Sequence, residues 1–214
     1  MIRIDTVLSG PLEVNSYVIY VDGSTDCVVT DPGNERPILR YLKEKGLTAR
    51  AILITHGHFD HILGLEALRS VTEADVYVHE SDREKLRTNR GSLAFLIRES
   101  LTPCETVISV RDGDTITVAG MSFKVIHTPG HSEGAVCYIL EEASAVFCGD
   151  TLFCGSYGRT DFPGCSFEKL YRSITERLFT LQNDYTLYPG HGPSTSLTEE
   201  RRFNPILADR MMDT

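Results

Sequence analysis

Three histidines and an aspartate fall within six residues, in the run His56-Gly57-His58-Phe59-Asp60-His61. Neutral imidazole and carboxylate are protein ligands for zinc, and they also suit iron and manganese. His56 and His58 are two apart, so an extended loop aims both at one ion. Asp60 and His61 follow where the chain turns, and they serve a neighbouring ion. One short loop cannot fill two coordination spheres, so further ligands must come from elsewhere. His131 in Thr128-Pro-Gly-His131-Ser, Asp150 in Cys148-Gly-Asp150-Thr and His191 in Tyr188-Pro-Gly-His191-Gly are the candidates. Each comes after a strand-like run and directly after a glycine, which permits sharp turning and close backbone approach. Alone, each reads as a turn or packing residue. Together with residues 56–61 they form a candidate set for two divalent metal ions, with zinc the expected metal.

The elements that must position these residues are strands followed by helices. Tyr17–Val21 and Cys27–Thr30 are short β-rich runs, and Asp31-Pro-Gly33 breaks the second. Asn34 caps an expected helix with Ile38, Leu39, Tyr41 and Leu42 on one face, and Gly46 stops it. Ala51–Thr55 is a buried strand that feeds the histidine run, and Ile62, Leu65, Leu68 and Arg69 then keep a helical period. The run therefore sits on a strand-to-helix loop. Val76–His79 is a further strand, with Ser81 and Glu84 as a capping box for a short helix. Residues 89–104 read either as core packing or as a helical lid or substrate wall. Hairpin signals follow from Val107 to Ile126, then strands at Ala135–Leu140 and Ala145–Cys148. A helix carrying Phe167, Leu170, Ile174 and Leu178 precedes the strand Tyr185–Tyr188, and a last helix begins near Thr198 with Ser196 and Glu199 as its capping box. The pattern predicts sheets with helices on their outer faces. No linker divides residues 1–214, which read as one domain.

Composition narrows the function classes. The chain has 214 residues, 41% hydrophobic and 24% charged, and a net charge of −9. No basic stripe is present, so nucleic acid is not an expected partner. No run of eighteen apolar residues is present, so no membrane span is expected. The first residues read as a β-strand rather than a signal peptide, which predicts a cytoplasmic protein acting on a small molecule. The six cysteines form no Cys-x-x-Cys pair and read as reduced thiols, most of them buried.

Thr55-His-Gly-His-Phe-Asp-His61, with His131, Asp150, His191 and the early Asp31-Pro-Gly33 turn, resembles the metallo-β-lactamase superfamily. The resemblance covers nearly the whole chain in order. It implies an α/β fold, an αββα sandwich of two mixed β-sheets with the site at one edge. It implies that His56, His58 and His131 hold one metal, that Asp60, His61 and His191 hold the second, and that Asp150 bridges them. Gly149-Asp-Thr-Leu-Phe153 and Gly155-Ser-Tyr-Gly-Arg-Thr-Asp-Phe-Pro163 resemble the short bacterial branch of glyoxalase II-like (hydroxyacylglutathione hydrolase-like) enzymes. The same Gly-Arg-Thr-Asp-Phe run is similar to persulfide dioxygenases. The ending Tyr188–Glu200, then Asn204-Pro205, favours the hydrolases. The chain stops soon after Asn204-Pro205, so glutathione is not the expected thiol.

Zinc lowers the pKa of bound water to about 7, so hydroxide is available at neutral pH. Asp60 is the candidate catalytic residue, orienting that hydroxide. A thioester releases a thiolate, which needs little protonation because thiols have pKa values near about 8.5. No dedicated general acid is evident, which favours thioesters over lactams. The alternatives are a mononuclear iron persulfide dioxygenase and a metal-binding protein without turnover. Around the site, Asp31 is a candidate support for a metal ligand. Tyr157 and Arg159 touch substrate or brace the site, with Asp161 as a partner for Arg159. His127 reads as structural, His79 as a solvated or packing residue, and Ser132 and Ser166 lack a triad partner.

Overall fold

Several strands of this chain are apolar on both faces, so their sheets must be covered twice. The computed structural model, which describes residues 1–209, meets that demand with two facing six-stranded sheets and helices outside both. The first sheet holds β1 (Ile2–Ser9), β2 (Val14–Val21), β3 (Asp26–Thr30), β4 (Thr48–Leu53), β5 (Asp75–His79) and β6 (Ile108–Val110), in that spatial order. β1 to β3 pair antiparallel and β3 to β6 parallel. The second sheet is built from β7 (Thr115–Val118), β8 (Met121–His127), β9 (Val136–Leu140) and β10 (Ala145–Gly149), all antiparallel. A small hairpin of β11 (Leu152–Phe153) and β12 (Ser156–Tyr157) follows. The second sheet ends with β13 (Thr186–Pro189), parallel to β10, and β14 (Thr195–Ser196). Each sheet thus joins an antiparallel meander to a parallel crossover.

Side-chain alternation sorts the core into three layers. Val18, Cys27, Val29 and Ile52 face outward to α1 (Glu35–Lys45), α2 (Phe59–Ile62) and α3 (Leu65–Thr72), where Ile38, Leu42, Leu65 and Leu68 cover them. Their neighbours Tyr17, Ile19, Val28 and Leu53 face inward against Phe123, Val125, Tyr138 and Phe147 of the second sheet. The outer face of that sheet, with Cys137, Ile139, Val146 and Leu187, is covered by three elements. These are α4 (Phe167–Arg172), its π-helical continuation Ser173–Leu178, and α5 (Leu197–Phe203), with Ile206 of α6 (Ile206–Asp209) beside them. Leu170, Ile174 and Leu178 are fully buried there, each stabilising the fold by about 1.5–3 kcal/mol. The expected αββα sandwich of two mixed sheets is the observed one.

Local chemistry explains most element ends. The Asn34 side chain accepts from the Arg36 amide at the start of α1, and Gly46 ends the helix in the left-handed region. Ser196 caps α5 by accepting from the Glu199 amide. Two expectations need correction. The helical period over Ile62–Arg69 is broken at Gly64 into α2 and α3, because Gly64 packs so closely on the start of α1 that a Cβ would lie 2.4 Å from the Glu35 amide nitrogen. Residues Glu80–Arg87 form a 3₁₀ helix whose cap is His79, not Ser81. The His79 ring is not solvated: it is buried and stacks on His127 at 4.0 Å.

The two sheets are also pinned by hydrogen bonds. Tyr138 on β9 donates its hydroxyl to the Ile54 carbonyl, 2.9 Å away across the interface, and Tyr17 on β2 donates to the Pro189 carbonyl at 2.7 Å. Removing the Tyr138 hydroxyl leaves the Ile54 carbonyl buried without that donor. Tyr138→Phe is therefore expected to lower stability by about 1–3 kcal/mol, read as a reduced urea midpoint at unchanged slope. An unchanged midpoint would show that the bond contributes nothing.

Candidate metal centre

Four loops leave the C-terminal ends of β4, β8, β10 and β13 and meet at one edge of the sandwich. They bring together all seven residues of the candidate set. The ligand-type atoms of His56, His58 and His131 lie within 4.8 Å of one another, as do those of Asp60, His61 and His191. His56, His61 and Asp150 form a third such group, which joins the other two. Asp150 is central: its Oδ1 is 3.3 Å from His61 Nε2, and its Oδ2 is 3.5 Å from His131 Nε2 and 3.8 Å from His191 Nε2. His58 Nδ1 and His131 Nε2 approach to 2.8 Å, and Asp60 Oδ2 lies 3.1 Å from His191 Nε2.

The outward nitrogens are held by the protein, which decides which nitrogen faces inward. Asp31 Oδ2 accepts from the Thr55 hydroxyl at 2.6 Å and lies 3.1 Å from His61 Nδ1. Asp31 Oδ1 accepts from the Thr55 amide at 2.8 Å. Because the Thr55 hydroxyl hydrogen goes to Asp31, its oxygen is free to accept from His56 Nδ1, 3.2 Å away. His131 Nδ1 is held by the Arg159 carbonyl at 2.9 Å. The inward atoms His56 Nε2, His61 Nε2 and Asp150 Oδ1 are buried and make no hydrogen bond. Buried polar atoms are rarely left so, and three of them converging in one place fit a bound cation. Close backbone approach supports the arrangement: a Cβ on Gly190 would lie 2.3 Å from Asp150 Oδ1 and 2.6 Å from His61 Cε1.

Charge follows geometry. Burial, reinforced by the neighbouring imidazoles, keeps His56 neutral and pushes His58 down to about 3. Burial alone would raise Asp150 and Asp60, but His61 and the other histidines beside them hold both carboxyls below their usual range. Burial alone would lower His61 and His191 too, but Asp150 and Asp60 beside them hold both above the ordinary imidazole value. Neutral imidazole and ionised carboxylate are the forms that bind metal, so binding there displaces protons.

Asp82 carries no motif signal and is the organising residue that sequence reasoning missed. It is fully buried, and its two oxygens accept from four donors at 2.7–2.8 Å. Gly57 N and Ser132 Oγ bond to Oδ2, and Gly134 N and Lys85 Nζ to Oδ1. It thereby ties the loop of His58 to the loop of His131. Only the position of Asp82 after β5, one turn before Lys85, was available to suggest it. Among the other expected residues, Asp31 supports His61 as anticipated, and Ser132 serves Asp82 rather than any triad. Ser166 caps α4. Arg159 is paired bidentately with Asp161, and Tyr157 donates to Asp209. His127 stands away from the cluster, bonded to the Glu133 carbonyl. Residues 93–97 form a wall rather than packing alone: Leu93, Leu96 and Ile97 line a cavity of about 250 Å³ over the cluster. All six cysteines are free thiols, four of them buried.

This fold, with histidines and aspartates gathered at the strand ends of two mixed sheets, defines a class. The family model for the metallo-β-lactamase superfamily matches residues 9–191, and the chain belongs to that superfamily. It is 38% identical over 202 residues to the probable metallo-hydrolase YqgX of Bacillus subtilis, covering 92% of this chain and 94% of that one. It is 32% identical over 200 residues to the hydroxyacylglutathione hydrolase GloC of Haemophilus influenzae, covering 87% and 89%. Among solved structures, the BLEG-1 B3 metallo-β-lactamase superposes with a TM-score of 0.87 at 34% identity, covering 97% of this chain and 99% of that one. TTHA1623 in a di-iron-bound form gives 0.83 at 36%, covering 94% and 98%. ETHE1 from Myxococcus xanthus gives 0.78 at 31%, covering 95% and 83%. Among the described residues no helix is long and apolar enough to cross a membrane.

Asp82 sets a pH prediction. Burial alone would raise its pKa, but Lys85 and the hydrogen bonds from Ser132 and Gly57 outweigh it and hold the carboxyl below its ordinary value of 3.8. A depressed folded pKa contributes stability that is fully present above the unfolded value and lost as pH falls through the folded one. Asp82→Asn turns an NH₂ toward donors and is expected to cost about 3–5 kcal/mol near neutral pH, with a smaller difference from the unchanged protein below pH 3.8. Denaturant titrations across pH check both; a constant difference down to acid pH would refute the charged role.

Proposed function

We propose that this chain is a hydrolase of small thioesters that works with two divalent metal ions, zinc being the metal these donors favour. The observation that carries the reading is the intact seven-residue donor set, whose buried atoms His56 Nε2, His61 Nε2 and Asp150 Oδ1 lack hydrogen bonds and five of whose residues line a small cavity. His56, His58 and His131 would hold one ion, Asp60, His61 and His191 the other, and Asp150 would bridge. Such ions supply hydroxide at neutral pH and polarise a carbonyl.

The residues of the chain do the rest. Asp60, in the group with His61 and His191, orients the attacking oxygen by accepting its hydrogen bond. The carbon–oxygen bond forms and the carbon–sulfur bond breaks, with the electron pair leaving on sulfur. A carboxylate, a thiol and one proton result. Outside the donor set, Arg159 is the sole polar side chain lining the cavity among the described residues, and it cannot act as an acid at neutral pH. A thiolate leaves without such help, whereas a lactam nitrogen needs a proton. That distinction supports thioesters even though a B3 metallo-β-lactamase is a structural neighbour. The similarity to GloC supports the same choice. Persulfide oxidation at one iron would leave the Asp60, His61 and His191 group without a purpose.

Metal analysis of protein purified without added metal, paired with turnover assays, tests the proposal. The expected result is two metal equivalents per chain and hydrolysis of acyl thioesters at least about a hundredfold faster than of a lactam such as nitrocefin. One iron per chain with oxygen uptake on a persulfide would overturn it. Two irons would retain the hydrolase and correct the metal. Asp60→Ala is expected to lower thioester turnover at least about a hundredfold while the far-ultraviolet circular dichroism stays unchanged. Full activity in that variant would remove the second metal group from the account.

A further inference from the structure

The cavity over the donor set has a lining that discriminates among thioesters. Five of its residues, His58, Asp60, His131, Asp150 and His191, belong to the set. Leu12, Phe59, Leu93, Leu96, Ile97 and Phe162 are apolar, and Arg159 is the one cation outside the donor set in the lining among the described residues. That cation is committed: two of its nitrogens lie 2.6 Å from the Asp161 carboxylate, and its guanidinium sits 4.1 Å over the Phe162 ring. Outside the donor set, the lining therefore presents no unpaired charge to an ionic thiol such as a carboxylate-bearing thiol peptide.

Two features point to what does bind. Leu12 and Leu96 are 52% and 50% exposed, although they come from separate segments that meet at this cavity. Leucines left in water at a concave site are stabilised when an apolar ligand covers them. The volume, about 250 Å³, is below the roughly 300–1,000 Å³ of sites for drug-sized ligands, so the ligand group is compact.

We infer that the site selects thioesters bearing a compact aliphatic or aromatic group beside the scissile bond, seated against Leu12, Leu93, Leu96, Ile97 and Phe162. This rests on the thioesterase reading above. That apolar group can belong to the acyl or to the thiol side, and the experiment separates them.

The metal-loaded full chain is assayed with S-acyl-N-acetylcysteamines from acetyl to hexanoyl, and with thioacetates of ethanethiol to hexanethiol. S-lactoylglutathione is the charged comparison. In one series kcat/KM is expected to rise about three- to fourfold per methylene until the cavity is filled, and lactoylglutathione is expected to fall below the butanoyl thioester. Leu96→Ser and Leu12→Ser, both at half-exposed positions that the fold tolerates, should each flatten that rise. A rise in the first series places the group on the acyl side, and a rise in the second on the thiol side. Turnover with flat series, or variants that keep the full slope, overturns this inference and leaves the thioesterase reading intact. No turnover of any thioester overturns both.

Discussion

The centre depends on one buried carboxylate. Asp31 adopts a left-handed backbone conformation, φ 43°, which costs a non-glycine residue free energy. The conformation turns the chain out of β3 and places both carboxylate oxygens under the histidine run. There they accept from the Thr55 amide and hydroxyl and face His61 Nδ1. The Asp31 carbonyl accepts from Ser16, so β2 is drawn into the same knot. Asp31, with the Thr55 hydroxyl that it holds, orients two neighbouring strand ends and two imidazoles. Without that clamp the rings would be free to turn, and the choice of inward nitrogen would be lost.

Asp82 plays the matching part on the other side. Asp31 orients His61 directly and His56 through the Thr55 hydroxyl, whereas Asp82 joins the backbone beside His58 to the loop of His131. The second link crosses between the halves of the chain, since Gly57 and Gly134 follow different sheets. Burying these carboxylates is favourable only because every oxygen finds donors. Three atoms of the donor set break that rule, and the contrast with the satisfied carboxylates around them is what marks the centre.

Much of this was legible in the chain itself. The β-rich runs Tyr17–Val21 and Cys27–Thr30, the Asn34 and Gly46 signals and the Ser196–Glu199 pair all correspond to observed elements. The seven donor-type residues were legible because each stands beside a glycine or within the histidine run. What escaped depended on tertiary contact. Gly64 breaks a helical period because of α1, which no local window contains. His79 replaces Ser81 as a cap because its ring is buried against His127. Asp82 looks like any polar residue in a charged helix until residues fifty positions away arrive with their donors. The cavity wall at Leu93–Ile97 was ambiguous because apolar residues pack and bind substrate alike.

The central claim is that seven side chains build two adjacent cation sites. Anomalous diffraction from crystals of the purified protein, recorded across the zinc and iron edges, tests it most directly. Two peaks are predicted, one ringed by His56, His58 and His131, the other by Asp60, His61 and His191, with Asp150 between. A single peak, or peaks away from these atoms, would contradict the account.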